Sequence, residues 1–566
     1  MASLLRDSCY GNIIRVLTSG RFFRYDDEIH PELWHRYINI DKSASMARGS
    51  DESPGSDVDI DARVRNVPSR PWEENGQRFQ GLTGEKVDPE KGTDIMMVDW
   101  WDDKDQDNPR NWHSAKKAFV TFEICLLTFG IYIGSSIYSA GEQDIMRKFH
   151  VSQVVATLGL SLFVAGYGIG PFLWSPMSEI PVIGRNPVYI LTLVVFVALQ
   201  VPVALAANLG MLLAFRFLTG FFGSPVLATG GASIGDMYSP SKRAYAMGIY
   251  GISAVCGPSL GPLIGGFAAQ AEGWKWPIWE LLWMSGFALL VLFFLLPETS
   301  SANILYRRTR RLRKATGIQS LRCQSELDAR SITFGDMAMT ILVRPFVLNF
   351  TEPMVFLLNL YLALIYGLLY VWFESFAIVF VRIYGFNIGQ EGLSFLGLLV
   401  GAIVVIPPFY WWMRKYLEPR FDENGNVAPE VRLPAACVGA FAIPICLFWF
   451  GWTARPSIHW IVPIVGSGFF SVGAFLLFIS IFNYLADAYP LYAASVLAGN
   501  NLFRALFGTG FPLFASAMYK NLGVGWASST LGFISVVFIP IPFALYGVQF
   551  GKTLRTKYSM HARKDI

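Results

Sequence analysis

The sequence predicts an all-α membrane protein: twelve transmembrane helices in two six-helix halves, with both termini cytosolic. Three observations carry this. Hydrophobic residues make up 53% of the 566 and charged residues only 16%, with 45 Phe, 23 Tyr and 17 Trp. No soluble domain of this size carries so many separate long apolar runs. The runs number twelve, split six and six by a long basic interval, and the basic residues divide unequally between alternate connections.

Residues 1–113 read as a polar cytosolic tail. Its acidic, Ser-rich patch "GSDESPGSDVDIDARV" has the composition of a disordered segment. Upstream, "LLRDSCYGNIIRVLTSGRFF" suits either an amphipathic helix on the membrane surface or a partly ordered tail. The start is too short and mixed for a cleavable signal peptide, so the first apolar helix serves as the membrane signal.

The N-terminal half, 114–297, holds apolar segments near 115–139, 153–174, 187–207, 210–233, 244–267 and 277–297. The cytosolic linker 298–352 carries "YRRTRRLRKATG", the densest basic cluster in the chain. The C-terminal half, 353–549, holds segments near 353–380, 391–412, 433–452, 459–486, 492–518 and 526–549, before a short tail at 550–566. Connections on the side of the termini hold sixteen basic residues, nine of them between Arg307 and Arg344; the opposite loops hold six. That bias places the termini inside. Beside a membrane span, the basic cluster suits anionic lipid better than nucleic acid.

Composition also excludes chemistry. The six cysteines form no spaced pair in an external loop, so neither a disulfide framework nor a zinc motif is indicated. All six histidines fall in tails, loops or at a span edge, which argues against an intramembrane enzyme or a metal centre. Glycine-rich phosphate loops are absent, so no ATP and no cofactor is implied.

The fifth segment contains "GIYGISAVCGPSLGPLIGG". Gly248, Gly257, Gly261-Pro262 and Gly265-Gly266 fall at every fixed position of the fifth-helix antiporter motif of the drug:proton branch of the major facilitator superfamily. "LLAFRFLTGFFGS" resembles the fourth-helix motif, with Arg216 at the position of the family's buried arginine. "GPFLWSPMSEIPVIGRNPVYI" resembles the motif between helices two and three, with Glu179 where the acid is usually Asp, and with Gly184 and Arg185 kept. "LPET", "PEVRLP" and "FNYLADAYPLYAASVLAGNNLFR" extend the similarity to fungal drug:proton antiporters that confer resistance to benomyl, methotrexate and azoles. The resemblance implies a proton-coupled exporter of small amphipathic molecules in the plasma membrane, driven by the proton gradient and functional as a monomer. Small-molecule substrates, protons and membrane lipid are its expected partners. An uptake carrier on the same fold is the alternative, though family uptake carriers generally lack the fifth-helix motif.

Charges inside spans are costly and mark pathways. Glu123 lies in helix one, Arg216 in helix four, Glu374 in helix seven, Asp487 at the inner end of helix ten and Arg504 in helix eleven. Arg216 and Glu374 sit at similar depths toward the outside, at roughly 1.5 Å per residue, so an electrostatic link between them is expected. The competing reading of Arg216 is a structural lock on backbone carbonyls. Glu123 either joins proton coupling or snorkels inward. Asn359, Tyr366, Tyr370 and Glu374 recur every seven, four and four residues, forming one face of helix seven suited to flat apolar or cationic compounds. The alternative is an ordinary aromatic packing face. The stripe of Gly257, Gly261 and Gly265 is expected to meet Gly397 and Gly401 of helix eight in an outer gate seam, and Gly166 and Gly170 to meet helix eleven in an inner one.

Overall fold

In the computed structural model, the described residues are 2–35, 38, 96–331, 335, 339–422, 427–547, 553, 559 and 562. The acidic patch assigned to the tail lies outside them. Among them, eleven helices are long and apolar enough to cross a membrane. They are α1 (Ser114–Phe149), α2 (Gln153–Glu179), α3 (Arg185–Ala204), α4 (Leu209–Met237), α5 (Pro240–Glu272), α6 (Trp276–Leu295), α7 (Pro353–Ile383), α8 (Ile388–Arg420), α9 (Pro434–Thr453), α10 (Ile461–Ala488) and Ser495–Tyr546.

The last of these is two helices. A straight 52-residue helix would run about 78 Å, more than twice a bilayer's hydrocarbon core. Gly523 breaks it with φ 74° and ψ 161°, a backbone that side-chain-bearing residues rarely adopt. Beyond the break the chain folds back, so that Tyr519 and Ser528 hydroxyls meet at 3.1 Å. We label the two arms α11 (495–522) and α12 (524–546).

The halves have matching construction. In the first, α1 packs on α5 and α6, α2 on α4, and α3 on α4 and α6; in the second, α8 packs on α10 and α9 on α10 and α12. Between halves, α2 meets α11 and α5 meets α8. Burial follows from this placement. The most apolar windows of α1 and α7 are 72% and 78% buried, against 28% for α6, so the polar side chains of α7 face protein rather than the apolar surroundings of α6. The second half is held by an aromatic core in which Trp372 stacks on Phe376 and Phe450.

The termini and linker share one face of the bundle, here the linker face; the opposite is the far face. The N-terminal segment is ordered on the linker face. Its helix Cys9–Leu17 sets Tyr10 against Phe293 and Phe294 at the end of α6 and leaves Val16 and Leu17 exposed. The linker helix Ser301–Thr316 is clamped by the tail. Arg308 pairs with Asp105 at 2.7 Å and Asp107 at 2.9 Å, and lies over Trp101. Arg311 pairs with Asp27 at 2.9 Å and covers the Tyr25 ring at 3.8 Å. Strand β1 (Met96–Met97) then pairs in parallel with β2 (Leu321–Arg322). Two arginines of the basic cluster, Arg308 and Arg311, are thus paired with tail aspartates, while Arg310 and Lys314 stay exposed. Burial raises the Asp105 carboxyl, but its bonds with Arg308 outweigh that and hold it below its ordinary range. Burial pushes the Tyr25 hydroxyl up to about 12.

Candidate functional site

A column of polar side chains runs between the halves from the far face inward. At its top is Glu374 of α7, 5% exposed. Its Oε2 accepts from Gln153 Nε2 at 2.7 Å, and Thr157 Oγ1 lies 3.1 Å from its Oε1. Gln153 is in turn held from α11, where Ser516 and Lys520 donate to its Oε1 at 2.9 and 2.8 Å. Glu374 is thus tied into the opposite half through α2.

One turn inward, the Tyr167 hydroxyl of α2 hydrogen-bonds with those of Tyr366 and Tyr370 on α7, the latter at 2.9 Å, and Tyr370 donates to Ser135 Oγ of α1 at 3.0 Å. Arg504 of α11 lies 5.3 Å from the Tyr366 ring centroid and donates to Asn501. Nearer the linker face, Asn359 bonds with Asn349 and accepts from Asn500 at 2.7 Å. The expected face of α7 therefore exists, and all four of its members touch polar partners. In this structure those partners fill the interface.

Arg216 is fully buried and does not bond Glu374. Its Nε donates to Gly159 O and its Nη1 to Gly134 O, both at 2.9 Å, with Tyr138 and Phe163 rings against the guanidinium. These bonds tie α4 to α1 and α2 within the first half. The expected direct link is replaced by the lock on backbone carbonyls. Glu123 is fully buried rather than snorkelling, and neither carboxyl oxygen has a hydrogen-bond partner among the described residues.

The glycines are placed differently from expectation. A Cβ on Gly257 would meet Tyr132 and Ile133; on Gly261, Ser136 and Ile137; on Gly265, Ile137. That stripe seats α1 inside the same half, where Ser136 also donates to Gly257 O at 3.1 Å. Gly397 and Gly401 seat α10, and Gly166 and Gly170 seat α4. The seam between α5 and α8 uses the next face round: Gly266 lies against Ile388 and Gly389, Gly392 against Pro262 and Leu263, and Gly248 against Tyr410. Gln270 accepts from Gly389 N at 3.1 Å there. At the linker end of the same pair, Lys242 meets Glu418 at 2.6 Å and Tyr410 donates to Tyr245 O at 2.8 Å. The halves touch at both faces.

The loop motif forms a charged knot at the linker face. Gly184 has φ +80° and lies close against Glu298 and Asn303. The Glu298 carboxylate accepts from Arg185 N and Asn186 N at 3.1 and 3.2 Å, capping α3 where free N–H groups favour an anion. Arg185 pairs with Asp236 at the end of α4 at 2.6 Å, and Glu179 is within its electrostatic reach. The second half repeats the arrangement with Arg432 and Asp487 at 2.9 Å, before α9 and at the end of α10.

The comparisons agree with this architecture. The chain is 45% identical over 481 residues to the transporter mfs1 of Schizosaccharomyces pombe, covering 84% of this chain and 91% of that one. It is 38% identical to a cycloheximide resistance protein of Candida maltosa, covering 96% and 98%, and 42% identical to fluconazole resistance protein 1 of Saccharomyces cerevisiae, covering 82% and 85%. Its fold matches the crystal structure of the human organic anion transporter MFSD10 (TETRAN) with a TM-score of 0.52 at 17% identity, over 76% of this chain and 99% of that one. The family model of the Major Facilitator Superfamily matches residues 124–512, and the chain belongs to that family of multi-pass membrane transporters.

Proposed function

We propose that this chain is a proton-coupled antiporter exporting small amphipathic organic molecules from the cytosol or inner leaflet across the plasma membrane. It crosses the membrane twelve times with both termini in the cytosol, works as a monomer, performs no catalysis and uses the proton gradient without a cofactor. The printed names of its relatives, resistance proteins for cycloheximide and fluconazole, support the direction and substrate class. The single observation that carries proton coupling is Glu374, a buried carboxyl tied from one half to the other through Gln153 and Thr157. Protonation changes what such a group can accept, so it changes the bond between the halves. Alternating access follows as rocking of 114–297 against 353–549 about the polar column. A proton from outside favours the closed far face; substrate enters from the linker side. The Tyr366 and Tyr370 rings part to expose an aromatic, hydroxyl-bearing site for it.

Expression in a yeast strain stripped of its own exporters tests this. Wild type is expected to lower accumulation of cycloheximide or fluconazole and to raise resistance, and Glu374→Gln at equal surface level to lose both. Accumulation equal to the empty vector for a panel of amphipathic compounds would refute the export reading.

A further inference from the structure

Glu142 lies just past the apolar part of α1 at the far face and is 7% exposed. Its Oε2 lies 3.0 Å from Thr157 Oγ1, the same hydroxyl that lies 3.1 Å from Glu374 Oε1. The other oxygen of Glu142, Oε1, is buried with no hydrogen-bond partner among the described residues. Thr157 Oγ1 has a third oxygen neighbour, the carbonyl of Gln153 at 3.0 Å. A hydroxyl carries one hydrogen and an ionised carboxylate is acceptor-only. Thr157 can donate to only one of these oxygens at a time, and a carboxyl left over meets the Thr157 oxygen through a hydrogen bond only when it carries a proton of its own.

We infer that Glu142 and Glu374, one from each half, share a single proton over Thr157, and that this shared proton clasps the far face shut. The inference rests on the reading of Glu374 as the coupling group and adds the second carboxyl it needs. The groups facing the pair are Glu391 of α8, Lys520 of α11 through Gln153, and, on the side of Glu142, Tyr138 and Arg216. Glu391 adds a third carboxyl, so losing the shared proton leaves adjacent negative charges on opposite halves. A proton arriving from external water converts one carboxylate to a carboxylic acid, restores the contact and closes the face. Its departure to water leaves two carboxylates that repel. The two carboxyls are within about 6 Å, where like-charge repulsion at an effective dielectric near 20 corresponds to about a hundredfold change in the open-to-closed ratio.

The test uses the full-length protein in nanodiscs, without substrate or gradient, with spin labels on far-face loops at Lys148→Cys and Arg455→Cys. In wild type the inter-label distance is expected to lengthen as pH rises. Glu142→Gln leaves no carboxylate on the first half's side of the pair and is expected to cut the high-pH opening at least tenfold, while Glu374→Gln leaves only Glu391 facing Glu142 across the halves and is expected to reduce the opening. Glu142→Asp, which keeps the acid, is expected to restore a pH-dependent distance. If Glu142→Gln opens like wild type while Glu374→Gln does not, the shared proton is wrong and Glu374 stands alone. If neither variant differs from wild type, both readings fall. Glu142→Asp behaving as Glu142→Gln would show a packing role for Glu142 and overturn the inference.

Discussion

Replacing Gly266 with alanine perturbs one side of the far-face seam. The added Cβ would sit 2.7 Å from Ile388 O and 3.4 Å from the Gly389 Cα. Both neighbours are backbone, so no side-chain rotation relieves the contact and α5 or α8 has to move. Overpacking of this kind costs about 1–3 kcal/mol. Because the neighbours belong to the other half, the cost falls only on states with the far face closed. At 1.36 kcal/mol per tenfold, the open-to-closed ratio rises by roughly 5- to 150-fold. Gly261→Ala supplies the contrast: its Cβ would meet Ser136 Cβ at 2.8 Å and Ile137 N at 2.9 Å, inside the first half. That cost burdens every folded state and reduces the yield of folded protein. Gly286→Ala, with nothing within 4 Å, is the neutral control. Detergent-extracted yield by size-exclusion chromatography and the distance between spin labels at Lys148→Cys and Arg455→Cys separate the cases. Gly266→Ala is expected to keep its yield and to lengthen that distance. If it loses yield like Gly261→Ala and the distance is unchanged, the seam is misassigned.

Three further outcomes follow from the geometry. Arg308→Ala leaves the buried Asp105 without its arginine in the linker-face clamp, while Asp107 keeps Arg6 at 3.2 Å, and should destabilise it by about 3–5 kcal/mol, read as faster proteolysis of the N-terminal segment. Asp105 titrates lower when folded, so its contribution is full above its unfolded value near 4 and fades as pH falls through the folded one; protection is expected to hold at neutral pH and drop only below about 4. Tyr167→Phe removes the hydroxyl shared with Tyr366 and Tyr370 and is expected to lower thermal stability by about 1–3 kcal/mol, while unchanged melting would show that the tyrosine contact contributes nothing.

Apolar runs, the basic bias and the glycine motif made the bundle legible, because a bilayer leaves a chain of this composition only one way to satisfy its backbone. Spacing along α7 also placed Asn359, Tyr366, Tyr370 and Glu374 on one face, and they occupy it. Periodicity reports a face, however, and says nothing about which helix covers it. The stripe of Gly257, Gly261 and Gly265 faces α1 and not α8, because close approach is needed within a half as well as between halves. Glu142 escaped notice because "GEQDIMRKFH" reads as a solvated loop just past an apolar run. Tyr167 is hidden among glycines in "VAGYGIG". The clamp on the linker was illegible for another reason: Asp105 and Trp101 lie some two hundred residues from Arg308, and nothing local marks their pairing.

Proton-driven export is tested most directly in inside-out vesicles holding the protein, with an acid interior imposed and labelled cycloheximide or fluconazole outside. Wild type is predicted to concentrate the compound only while the gradient lasts, and Glu374→Gln to show no gradient-dependent uptake. Equal uptake with and without the gradient, or full gradient dependence in Glu374→Gln, would contradict the account.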